Sequence, residues 1–128
     1  MTANYTLKNF IDDNLPAMIA GYRQALYFTE VDMDGVTRES PISSELGEKI
    51  ATDCESFLKE CWKYGLLLSD FDAELLGHNF WLNRNGHGSG FWDSEDTYGG
   101  TQAERLSSLA HSYGEFWVYL GDDGQIYG

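Results

Sequence analysis

The densest run of residues able to do chemistry is GHNFWLNRNGHGSGFWD at 77–93, which holds two of the chain's three histidines together with three asparagines and two tryptophans. Three chemistries compete for it. His78, His87 and Asp93 form a His/His/carboxylate set of the kind that suits zinc or ferrous iron. Their spacings, 9 and 6 residues, match no compact metal motif. His87 and Asp93 could instead work as an acid–base pair, although Ser89, the nearest hydroxyl, stands in no recognisable nucleophile context. The third reading is structural. Glycines at 86, 88 and 90 shape a turn, Asp93 caps it, Arg84 pairs with a carboxylate, and the histidines satisfy backbone groups. Even then the loop can be a recognition surface, with Trp81, Arg84, His87 and Trp92 as its short-range contacts.

Other sites are weaker. GHGSG lacks the lysine and spacing of a phosphate loop. Glu30, Asp32, Asp34 and Gly35 look like half of a calcium loop, but its twelfth position would be Pro41 and its eighth Thr37. Cys54 and Cys61 fall on the apolar face of one helix. Seven helical residues separate their Cα atoms by roughly 10 Å, too far for a disulfide. Buried, reduced thiols are the plain reading, and no cofactor is expected.

Charge narrows the partners. The chain has 128 residues, 21 acidic and 8 basic, for a net charge of −13. With 42% apolar and 15% aromatic residues it is built to bury a core rather than to stay disordered. An anionic surface argues against direct contact with nucleic-acid phosphates or anionic membranes and favours basic protein surfaces. Residues 65–128 carry a net charge of −8 against −5 for residues 1–64, and they also hold 11 of the 19 aromatics. No apolar run approaches the roughly 18 residues of a membrane helix, and the N-terminus does not read as a signal peptide. Cytoplasmic location follows as an expectation.

These residues need elements to position them. A short helix is expected over 5–12. A second, capped by Asp13 or Asn14 with Pro16 in its first turn, carries Leu15, Met18, Ile19, Tyr22 and Leu26 to about residue 29. Residues 30–43 read as an acidic loop. A long helix over about 43–64 buries Leu46, Ile50, Cys54, Phe57, Leu58 and Cys61 and stops at Gly65. Ser69 and Asp72 look like a capping box for a short helix ending near Gly77. Residues 78–84 alternate as a strand does, and Phe91–Trp92 return as another. Thr101 and Glu104 open a helix with Leu106, Leu109, Ala110 and Tyr113 inward. Residues 115–120 then form a strand with Phe116, Val118 and Leu120 on one face and Trp117 and Tyr119 on the other. Asp123-Gly124 turns it into a hairpin. The sum is a single α+β domain over 1–128, with helices packed on a small antiparallel sheet of three or four strands.

Residues 77–93 and the later YLGDDGQIY resemble a family of small acidic proteins of bacteriophages and mobile elements. Its shared core runs GHDFWLTRNGHGxGFWD, then a helix, then YVGDDGxIY. YRQALYF and ATDCESF upstream look similar too, so the likeness spans about residues 22–127. Asn79 stands where the family has an acid, and Asn83 where it has threonine. The resemblance implies a mobile-element origin and action inside a bacterial cell, and it implies no reaction.

The expected function is therefore a non-enzymatic, host-directed binding protein that inhibits or modulates a defence or nucleic-acid-processing protein, with nucleic-acid mimicry as one route. Asp32, Asp34, Glu95, Asp96, Asp122 and Asp123 would steer it onto a basic surface. The alternative is a small metal-dependent or acid–base enzyme centred on His78, His87 and Asp93.

Overall fold

A computed structural model of the protein describes residues 6–30, 39–65, 71–85 and 100–128. They form four helices and one hairpin: α1 (Leu7–Glu30), α2 (Ser44–Tyr64), α3 (Ala73–Arg84), α4 (Gly100–Ser112), β1 (Tyr119–Leu120) and β2 (Ile126–Tyr127). The described sheet has two strands, not the expected three or four. The helices carry the core.

α1 is one helix where two were expected. Its cap is Thr6, whose Oγ1 accepts from the Asn9 amide at 3.2 Å while Asn9 Oδ1 accepts from the Thr6 amide at 3.1 Å. This reciprocal pairing satisfies two N-terminal donors. Pro16 lies inside the helix and removes one backbone donor. The helix continues through it because the buried stripe of Phe10, Ile11, Met18, Tyr22, Ala25 and Leu26 runs along both sides of the proline. Tertiary burial outweighs the local break.

α2 follows its sequence pattern. Ser43 Oγ accepts from the Leu46 amide at 3.1 Å, and Gly65 closes the helix in the left-handed region at φ 62°. The expected stripe from Leu46 to Cys61 is buried.

α3 is the main correction. Residues 78–84, expected as a strand, are the last two turns of a helix that Asp72 opens by accepting from the Leu75 amide at 3.1 Å. The partner Ser69 of the expected capping box lies outside the described residues, as do the Phe91–Trp92 strand and residues 31–38. α3 is buried on nearly every side: Leu76, Gly77, Asn79 and every residue from Phe80 to Arg84 lie inside. From Asn79 to Arg84 no position meets water, so the period that marks a surface helix is missing from this part of the sequence.

Two glycines allow this burial. A Cβ on Gly77 would lie 1.9 Å from the Met18 carbonyl oxygen, and one on Gly21 would lie 1.8 Å from that of Glu74. The backbones of α1 and α3 therefore touch at their crossing, and only hydrogen fits between them. Around this contact the aromatic core assembles. Phe80 stacks on Phe57 at 4.3 Å and meets Tyr22 and Tyr113 edge-on at 5.5 and 5.1 Å.

The hairpin forms where Asp123-Gly124 predicted a turn. Gly124 has φ 81°, its amide donates to the Gly121 carbonyl at 3.0 Å, and Tyr119 faces Tyr127 across the pair. Of the expected 115–120 strand, Tyr119–Leu120 pairs with β2. β2 is also anchored on its other side. Ile126 donates to the Pro41 carbonyl at 2.8 Å and accepts from the Ser43 amide at 3.0 Å, which forms a parallel bridge with Ile42. The hairpin is thus tied to the cap of α2.

Candidate functional site

The described residues of the 77–93 motif form two groups, and neither is a surface loop. Trp81 is fully buried in the core. Its indole donates to Thr29 Oγ1 at 2.8 Å, and its ring lies edge-on to Tyr22 at 5.3 Å. Its expected role as a partner contact is corrected to packing.

Arg84 is corrected in the same way, and its carboxylate partner is identified. Its side chain is 2% exposed and lies 2.9 Å from Asp53 Oδ2 of α2. It also donates to Tyr22 Oη of α1 at 3.1 Å, to the Tyr113 carbonyl at 3.1 Å and to the Gly114 carbonyl at 2.9 Å. The last two are carbonyls at the end of α4, where a cation also meets the negative end of the helix dipole. Rings of Phe80, Phe116 and Tyr113 surround the guanidinium with centroids 5.3, 5.4 and 5.7 Å away. One side chain on α3 thereby binds α1, α2 and the end of α4. The other Asp53 oxygen accepts from Lys49 at 3.1 Å. This buried charge is paired and hydrogen-bonded, which is the condition for keeping it inside.

Beside it, Asn83 Nδ2 donates to Ser107 Oγ at 2.9 Å and lies 3.1 Å from His111 Nε2. Asn85 accepts from the Phe116 amide at 2.7 Å, and its buried Nδ2 meets no partner among the described residues. The cluster therefore joins α3 to α4 and to the chain after it, in the manner of a structural centre.

His78 lies apart from this cluster. It is half-buried and shares an open groove of about 460 Å³ with Gln24, Tyr27 and Phe28. His87 and Asp93, its partners in the metal and acid–base readings, lie outside the described residues, as do Asp32, Asp34, Trp92, Glu95 and Asp96. Among the described residues no three His, Cys, Asp or Glu side chains converge as metal ligands.

The two thiols are poor nucleophiles. Both are free and buried. Burial pushes the Cys54 and Cys61 thiols well above their ordinary range, and the neighbouring charges of Asp53 and Glu60 push in the same direction. Neither should react with an aromatic disulfide reagent in native buffer, whereas both should react once the protein is unfolded in urea. Fast labelling of the native protein would contradict their placement.

The exposed chemistry is on the hairpin. From Glu115 to Leu120, exposed residues alternate with more buried ones, and Val118 points inward. Trp117 is 49% and Tyr119 59% exposed. Tyr119 stacks on Tyr127 at 5.8 Å. Trp117 Nε1 donates to Glu115 at 2.9 Å. Asp123 accepts from the Gln125 amide at 3.0 Å and from Tyr127 Oη at 2.6 Å. The Tyr127 hydrogen bond holds the Asp123 carboxyl below its usual range, while the Tyr127 phenol is pushed up to about 12 by the same bond. Asp122 is exposed at the turn. The hairpin region therefore presents aromatic rings beside carboxylates, and no lysine or arginine follows Arg105 in the sequence.

Of the sequence-derived candidates with described structure, Asp122 and Asp123 remain on the surface, while Trp81 and Arg84 are interior. Asp53 and Gly21 were missed. Asp53 had a signal: it lies three residues after Ile50 and four before Phe57, on the edge of the buried stripe. An acid there requires a buried partner.

Exposed carboxylates occur on every helix with described side chains and on the hairpin, for example Asp12, Glu48, Glu74, Glu104 and Asp122. No described helix is long and apolar enough to cross a membrane. Searches against protein-family models, curated proteins and solved structures find no match for this chain.

Proposed function

We propose that this is a non-enzymatic acidic binding protein that docks its C-terminal hairpin on a basic surface of a host protein. The observation that carries this reading is the exposure of Trp117 and Tyr119 beside Glu115, Asp122 and Asp123. Aromatic rings with neighbouring carboxylates suit arginine and lysine side chains, which stack on the rings and pair with the acids. The net charge of −13 supports steering toward such a surface. Exposed acids distributed over many elements favour that general attraction over a phosphate-like row, so mimicry of nucleic acid is the weaker route. A bacteriophage or mobile-element origin, and action in the cytoplasm of the infected cell, rest on the resemblance of residues 77–93 and 119–127. Modulation of a host defence or nucleic-acid-processing protein is the role proposed in that setting.

The test is affinity capture from bacterial lysate across a salt series. Captured protein should be released as salt approaches 1 M, where the screening length falls to about 3 Å. The double variant Trp117→Ala/Tyr119→Ala should bind at least about ten-fold more weakly, the loss expected for truncating interface aromatics. Phe28→Ser, which removes an exposed aromatic on α1, should change nothing. Capture that survives high salt and both aromatic substitutions would refute the proposal.

A further inference from the structure

We infer that the outer edge of β1 is a strand-addition site for an extended, arginine-bearing peptide of the partner. This rests on the reading of the hairpin as the docking surface and specifies how it docks. The hydrogen-bond phase of the hairpin carries the inference. The Gly121 amide donates to the Gln125 carbonyl at 2.7 Å, so this pair is hydrogen-bonded. Bonded and non-bonded pairs alternate in an antiparallel ladder. The next pair, Leu120 with Ile126, is therefore non-bonded, and its backbone groups point away from the hairpin on both sides. On the β2 side those groups are used: Ile126 bonds to Pro41 and Ser43. On the β1 side the Leu120 amide and carbonyl meet no backbone partner among the described residues. Val118, two residues earlier, continues that edge.

An open edge is a template for another strand. Natural edges are commonly protected by lysine or proline, and residues 115–121 contain neither. Charge selects the occupant. A second copy of this chain would bring another net −13, whereas a basic peptide meets Glu115, Asp122 and Asp123. Alternation then fixes the peptide's pattern. In an antiparallel addition, the residue opposite Leu120 exchanges both backbone bonds with it and shares its inward face. The residues on either side fall on the outer face, beside Trp117 and Tyr119, and these are the positions for arginine.

The pattern gives a test in which charge is held constant. The probe is an eight-residue peptide of alternating threonine and arginine, with two isomers N-methylated either at every threonine or at every arginine. Threonine amides face Leu120 and arginine amides face away. The unmodified peptide and the arginine-methylated isomer should bind alike at low salt, and the threonine-methylated isomer at least ten-fold more weakly. Exchange of the Leu120 amide with deuterium should slow at least ten-fold when the unmodified peptide is bound. Equal affinity of the two methylated isomers, or unchanged Leu120 exchange in the complex, would overturn strand addition and leave the charge-driven reading standing. Failure of all three peptides to bind at low salt would overturn both.

Discussion

Arg84→Met is expected to cost about 3–5 kcal/mol of folding free energy, the usual loss when one member of a buried ion pair is removed. The side chain volume is largely kept, so the effect isolates the charge and the donors. Asp53 would be left 6% exposed, with Lys49 as its remaining cationic contact. The Tyr113 and Gly114 carbonyls would lose their guanidinium donor. Against the 5–15 kcal/mol that holds a typical domain together, the variant would be marginal or unfolded at room temperature. Arg84→Lys should rescue little, because an ammonium group cannot span four acceptors on three sides. Arg84→Met combined with Asp53→Leu should recover part of the loss, since no unpaired carboxylate then remains in the core. Urea unfolding of the three variants measures this. A loss below about 1 kcal/mol for Arg84→Met would show that the guanidinium does not organise the core.

The second large effect comes from adding one methyl group. Gly77→Ala places a Cβ 1.9 Å from the Met18 oxygen, and Gly21→Ala places one 1.8 Å from the Glu74 oxygen. Both obstacles are backbone, so no side chain can rotate away. α1 and α3 must separate by an ångström or more, about the shortfall from ordinary contact distance. Alanine improves helix propensity by about 1 kcal/mol. Overpacking costs about 1–3 kcal/mol in cores that can adjust, and more where they cannot. Because the obstacle in each case is backbone, the cost exceeds that range, and after the propensity gain a net loss of about 2–4 kcal/mol is expected for each variant. Gly47→Ala is the control. It also lies in a helix, has no atom within 4 Å of its added Cβ, and should gain up to about 1 kcal/mol. If all three variants shift the urea midpoint in the same direction, the close crossing is refuted.

These two sites explain which parts of the fold could be read from sequence. α2 was legible because one face is buried and the other wet, and because Ser43 and Gly65 punctuate it. The hairpin was legible because its turn chemistry is local. α3 was not, because Phe80, Trp81, Leu82 and Asn83 are all inside and helical periodicity disappears when no face meets water. Tryptophan and arginine are enriched in interfaces, and arginine is seldom buried unless paired, so their residue types alone pointed Trp81 and Arg84 outward. The deciding partner, Asp53, lies 31 positions before Arg84. No local pattern encodes that pairing. For the exposed site, alternation separated Trp117 and Tyr119 from Phe116 and Val118, but which face α2 would cover depended on the bridge between Ile42 and Ile126.

That bridge also constrains the order of assembly. The β1–β2 turn closes over a few residues, whereas the pairing of Ile126 with Ile42 must close a loop of most of the chain and is expected to form later. A chain caught before that step would leave the Ile126 backbone without its Pro41 and Ser43 partners and the apolar Ile126 side chain without its cover from that side. Docking of the hairpin on the cap of α2 thus also covers a strand margin that would otherwise be a template for pairing with another chain.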